Sequence, residues 1–264
     1  MLVQFVLFDG FDPMDVIGPL EVLSAARAFT DEVTITVELV CAEGDREVPS
    51  GVHGVSLRAV ARLDPDRADL VVVPGAAGRL PGHGEDQPGA EAVCADAGAG
   101  ASAGVGVGVG ADADTADEIP AILARALTTE LSKLLAQALA APATTVATVC
   151  GGSLLLAMAG LLHGRHATTH HQGLDVLAAA GARVVPGRVV DDGDLVTAGG
   201  VTSGLDLGLY LLERAVGPQI AIAVEQLFAY ERRGVVWRDQ APARVSAASH
   251  TRAAGHASDA VQPR

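Results

Sequence analysis

Basic charge of one kind is almost missing from this chain. Lys133 is the one lysine, so the 18 Lys and Arg residues are nearly all arginines, set against 32 Asp and Glu for a formal net charge of −14. No arginine stripe gathers on any segment, which argues against a nucleic-acid partner; the acidic balance serves solubility. Cysteine is scarce too: Cys41, Cys94 and Cys150 form an odd set of three without CxxC spacing. That argues against a disulfide framework and against a zinc site, and a reducing cytoplasm is the expected compartment. No uninterrupted apolar run reaches the length of a membrane span. The first residues lack the basic start of a signal peptide, because Met1 runs almost directly into a strand pattern.

What the 264 residues do contain is 49% hydrophobic side chains, enough for one sizeable α/β core. Residues 2–8 (LVQFVLF), 33–40, 68–73 (ADLVVV) and 144–149 (TTVATV) read as buried strands. Pro19 suits the first turn of a helix running to about Phe29, and 49–57 reads as a short hairpin or an edge excursion. A helix from the glycines after Cys150 reaches about Leu162, with Gly164 to stop it. Further helices are expected at 172–180, 203–216 and 218–230, with short strands near 183–185 and 195–197. Such alternation predicts a doubly wound, mostly parallel sheet with helices on both faces. Residues 95–116 interrupt the order with a Gly/Ala/Val run of low complexity, expected as a flexible loop, and 117–140 follows as one amphipathic helix. The domain is expected to span 1–237, and the remaining 238–264 reads as a disordered tail.

Cys150 ends an apolar strand and is followed by Gly151-Gly152-Ser153 and the apolar run LLLAMA. Strand, nucleophile, small residues, helix is the layout of a nucleophile elbow, where the reactive residue sits in strained backbone and bulky neighbours would clash. A helix starting just after the sulfur is expected to lower the thiol pKa. The alternative is a small, inert core residue. A thiol nucleophile needs a proton partner, and Asp12, Asp15 and the histidines of HGRHATTHH (163–171) are the candidates. Asp15 lies between the first strand and the first helix, and loops at the carboxyl ends of parallel strands share one edge. It reads either as that partner or as a helix cap. Gly75-Ala76-Ala77-Gly78 follows the strand ADLVVVP and could bring backbone N–H groups to a substrate, with Gly151 as a second donor; any strand-to-helix turn also needs such glycines. His163, His166 and His170 have helical spacing, but Gly164 and the strand-like ATT oppose a helix, so no metal is expected. His170 and His171 read instead as substrate-pocket candidates.

The stretches VLFDGFDPMDVIGPLEVL, DLVVVPGAAG, VATVCGGSLLLAMAGLLHGRHATTHH and DGDLVTAGGVTSGLDLGLYLLE together resemble the DJ-1/PfpI (ThiJ) superfamily over most of 1–237. The resemblance is closest to its isocyanide (isonitrile) hydratase branch and to the amidase-like domains of AraC-type regulators. It implies a flavodoxin-like fold, Cys150 as nucleophile, Asp15 as its acidic partner, and Gly75, Ala76 and Gly151 as backbone donors. It further implies a homodimer, a small-molecule substrate and no cofactor. Gly151 stands where the protease-like branch has histidine, which speaks against peptidase activity, and where the hydratase branch has threonine. The expected reaction is attack of the Cys150 thiolate on an isocyanide carbon, with Asp15, held protonated beside it, carrying the proton. The rival expectations are a stand-alone redox or ligand sensor built on Cys150 and a glyoxalase- or amidase-like cysteine hydrolase. For the AraC-type arrangement, the residues after Trp237 look too few to form a helix-turn-helix region.

Overall fold

Four short strands made almost wholly of buried residues form the centre of the sheet: Leu2–Leu7 (β1), Leu70–Val73 (β6), Thr145–Val149 (β7) and Leu195–Ala198 (β11). The structure, a computed structural model, describes residues 1–31, 33–80 and 116–238. Around the centre lie Thr36–Cys41 (β2), Ala61–Arg62 (β5), Val189–Asp191 (β10) and Trp237–Arg238 (β12), giving the order β12-β10-β11-β7-β6-β1-β2-β5. Every pairing is parallel except β10 with β11. The expected hairpin is present as Arg46–Pro49 (β3) against Ser56–Ala59 (β4), and His166–Ala167 (β8) pairs with Arg183–Val184 (β9). The fold is the doubly wound, flavodoxin-like α/β arrangement, its central strands buried on both faces as a parallel sheet requires.

The helices fall into two groups. Pro13–Ala25 (α1) packs on Ser203–Val216 (α6), which also carries Pro218–Leu227 (α7). Ile119–Leu127 (α2), Leu131–Ala140 (α3), Gly152–Met158 (α4) and Leu174–Ala179 (α5) form the other group, with α3 and α4 against β7. Gly204 and Gly208 bring α6 close to α1; a Cβ on Gly208 would lie 3.0 Å from both Pro19 Cα and Val22 Cβ.

Several boundaries differ from the sequence reading. Helix α1 starts at Pro13 rather than Pro19, because Asp12 caps it by accepting from Met14 N at 2.9 Å, and Pro19 lies inside the helix. The single helix expected over 117–140 is two. Thr128 and Thr129 hydroxyls take the carbonyls of Arg125 and Ala126 at 2.7 and 2.8 Å, and Thr129 Oγ1 accepts from Leu131 N at 3.1 Å. Side chains that bond local backbone in this way end one helix and start the next. Helix α4 stops at Met158, before Gly160 at φ +75°, and not at Gly164. The loop expected over 95–116 and the tail expected over 238–264 lie, apart from their boundary residues, outside the described residues. Either side of that interval the main chain is clasped: Arg79 N donates to Asp117 O at 2.9 Å, and Ile119 N to Arg79 O at 3.0 Å.

Candidate active site

The loops after β1, β6 and β7 meet at the carboxyl edge of the sheet, as a parallel sheet with helical crossovers demands. Cys150 sits in the β7–α4 turn with φ +52°, the left-handed region that L-residues rarely adopt. Its N–H donates to Ala198 O at 3.0 Å, and its carbonyl accepts from Thr169 Oγ1 at 2.7 Å. Across the turn, Thr148 Oγ1 and Ser153 Oγ are hydrogen-bonded at 2.6 Å. The two glycines after the cysteine differ in what they permit. A Cβ on Gly152 would lie 2.2 Å from Val73 O, whereas one on Gly151 would find nothing nearer than Gly75 Cα at 3.5 Å.

Asp15 comes from the first turn of α1 and is fully buried. Its Oδ2 accepts from Gly75 N at 2.9 Å, while Oδ1 has no hydrogen-bond partner. The cap position that Asp15 could have filled belongs to Asp12, which also donates its N–H to Gly75 O at 2.9 Å. Gly75 is the joint between carboxyl and elbow: a Cβ there would be 2.6 Å from Gly151 N and 3.0 Å from Asp15 Oδ2. Because its N–H is bonded to Asp15, Gly75 serves the carboxyl, which departs from the expected role as a donor to substrate. Ala76 N and the backbone of Gly151 are close neighbours, since a Cβ on Gly151 would lie 3.8 Å from that nitrogen. Leu123 of α2 covers the same spot, with its Cδ1 4.0 Å from that Cβ position.

The electrostatics overturn one expectation. The Gly151 N–H favours a thiolate, but burial first and the Asp15 charge second outweigh it, and Asp12 adds to them; the Cys150 thiol is pushed up to about 12. Burial, then the Asp12 charge, hold the Asp15 carboxyl well above the ordinary carboxylate range despite its bond from Gly75 N. A start of helix cannot offset the loss of water around a sulfur that also faces a carboxyl. Both groups therefore favour their protonated forms.

The histidines separate. The His163 ring lies against Gly181, and His166 Nδ1 is 3.0 Å from Asp192 Oδ1 with its ring 4.8 Å from that of Trp237. His170 and His171 have ring centroids 4.2 Å apart. His170 is half-buried beside Gly200, and burial first, then His171, lower its pKa; His171 is exposed. His170 directly follows Thr169, whose hydroxyl reaches the elbow at Cys150 O. Sequence reasoning missed Thr169 itself and the Ala198 carbonyl. The ATTH stretch was visible, but nothing local marks which of two threonines turns toward a turn nineteen residues earlier.

Residues 125–214 match the DJ-1/PfpI family. That span runs from α2 through the elbow to α6. An isonitrile hydratase of Pseudomonas putida is 47% identical over 91 residues, 34% of this chain and 40% of that protein. The HTH-type transcriptional regulator CdhR of Pseudomonas aeruginosa is 39% identical over 83 residues, 31% of this chain and 25% of the regulator. This chain therefore spans well under half of the length of each. A THiJ/PfpI family protein from Pseudomonas syringae shares the fold with a TM-score of 0.62 at 23% identity, covering 88% of this chain and 76% of its own.

Proposed function

We propose that this DJ-1/PfpI-like chain is a cysteine-dependent hydratase that converts isocyanides to N-substituted formamides. The observation that carries the reading is the pairing of an elbow cysteine with a buried carboxyl whose Oδ1 is unbonded. With both groups protonated, the carboxyl acts as a two-way relay. Cys150 sulfur bonds to the terminal isocyanide carbon as the thiol proton passes to one Asp15 oxygen and the Asp15 proton passes to that carbon. The product is a thioimidate. Water then adds to the same carbon, giving one proton to Asp15 while Asp15 supplies one to the nitrogen. Breaking the C–S bond releases the formamide, and the hydroxyl proton returns through Asp15 to sulfur. A small, neutral electrophile suits such a buried, uncharged pair. The Ala76 and Gly151 N–H groups are the backbone donors of this reading, and His170 and His171 its pocket wall. A homodimer formed near the cysteine belongs to the same proposal; Met14 and Ile17 of α1, 53% and 37% exposed, flank Asp15.

The test is formamide production from a panel of alkyl and aryl isocyanides. Turnover is expected from the parent chain, none from Cys150→Ala, and a loss of about 10²–10⁴-fold in Asp15→Ala, the usual worth of a positioned proton carrier. A folded parent without turnover removes the reading. The likeness to a transcriptional regulator favours a second one, a ligand-sensing domain. Sensing by oxidation sits poorly with a thiol held at about 12, because the thiolate is the form that attacks peroxide. Peroxide treatment followed by intact mass separates these: a selective gain of two oxygens at Cys150 would restore the redox form of that reading.

A further inference from the structure

Thr169 has a geometry that no role above explains. It is 2% exposed, and its hydroxyl donates to the carbonyl of the one residue in the elbow with left-handed backbone. A non-glycine residue stays in that region only where its surroundings over-determine it. Among the described residues, the Cys150 N–H and carbonyl each have one hydrogen-bond partner. One is main chain, the Ala198 carbonyl on the Cys150 N–H; the other is a side chain, Thr169. The hydroxyl is itself well anchored. Neighbouring Thr168 donates its N–H to Thr197 Oγ1 at 2.9 Å and its hydroxyl to Gly187 O at 3.2 Å, which ties the segment to β11. The same strand supplies Ala198. The Thr148–Ser153 bond also spans the elbow, but it joins strand to helix without engaging Cys150.

We infer that Thr169 is a positioning residue for the nucleophile: its hydroxyl fixes the Cys150 carbonyl, and with it the left-handed turn that aims the sulfur at the Asp15 side of the elbow. It also makes the nucleophile and the segment carrying His170 one mechanical unit, since displacing that segment breaks the bond to Cys150. The inference rests on Cys150 being the reactive thiol of the proposed function, but its test reads the thiol and not turnover.

Alkylation of Cys150 by iodoacetamide, followed in the full chain by peptide mass spectrometry from neutral to alkaline pH, is that test. Thr169→Val keeps the shape and removes the donor. It is expected to slow alkylation about tenfold, the rate equivalent of one hydrogen bond, and to displace the pH profile. Thr169→Ser keeps the donor and is expected to keep the parent profile. Thr148→Val removes the other brace and is expected to lower the melting temperature with the profile unmoved. A parent-like profile in Thr169→Val overturns the inference. So does a slowed Thr169→Ser, whether or not the valine variant folds, and so does an equal displacement in Thr148→Val. A parent whose Cys150 resists alkylation at every pH sinks the nucleophile itself; absence of formamide alongside the expected profiles sinks only the hydratase reading.

Discussion

Asp15 combines two unusual conditions in one residue. Its side chain has a single bonded oxygen, and its backbone carbonyl faces Pro19 four residues on, which has no N–H to complete the helical bond. Such a carboxyl is tolerable while neutral and costly when charged. Its pKa in the folded chain is raised above the 3.8 of a free carboxyl, so the folded state holds the proton that the unfolded state gives up. Its contribution to stability is therefore complete below that value and is lost as pH rises through the raised folded pKa. Asp15→Asn keeps an acceptor for Gly75 N and cannot ionise. Thermal unfolding across pH should show the variant gaining on the parent as pH climbs above 3.8, with the difference closing again in acid. A constant difference at all pH values would mean that Asp15 does not titrate in this window. The place of Asp15 after β1, at the carboxyl edge of the sheet, was readable from the sequence, although it sits in the first turn of α1 and not in the loop before it. Its burial was not, because Asp15 could equally have capped a helix starting later in the chain, and Pro19 pointed to that later start.

The elbow shows how one element constrains another. Small residues after Cys150 were an expectation of the sequence, but the residue that needs to be small is Gly152, pressed on the carbonyl of Val73 from β6. Gly151 has helical backbone at φ −69° and room for a methyl group. Gly152→Ala should therefore cost about 1–3 kcal/mol, the usual penalty of overfilling a packed site, and Gly151→Ala well under about 1 kcal/mol. Chemical denaturation of the two variants reads the contrast directly; equal losses would contradict the packing described. No local pattern could separate the two glycines, because the clash is with a strand some eighty positions away in the chain. The split between α2 and α3 was more accessible. Thr128 and Thr129 are hydroxyl residues of the kind that cap helices, yet the apolar spacing ran through them without a break and masked the stop.

At the scale of the whole molecule, the central strands and the layer order followed from apolar runs alternating with helices. The edge strands did not: β5 and β12 are two residues each, too short to carry a period. The β12 rim is held partly by Asp206 on α6, buried, which accepts from Arg188 Nε and Nη2 at 2.8 and 2.6 Å, from Tyr230 OH at 3.0 Å and from Arg233 N at 2.8 Å. Asp206→Ala would leave Arg188 without its buried partner and release the segment leading to β12. A loss of about 3–5 kcal/mol is expected, with early proteolytic cleavage after α7; unchanged protease resistance would show that the rim is held by other contacts. The clasp between Arg79 and the residues around Asp117 bears on the molecule's history. A pinned pair of ends makes the fold nearly indifferent to how much chain runs between them, since each doubling of loop length costs only about 0.6 kcal/mol. Evolution is thereby given a socket four residues from Gly75, where sequence can be inserted, exchanged or shed while the scaffold beneath the cysteine stays as it is.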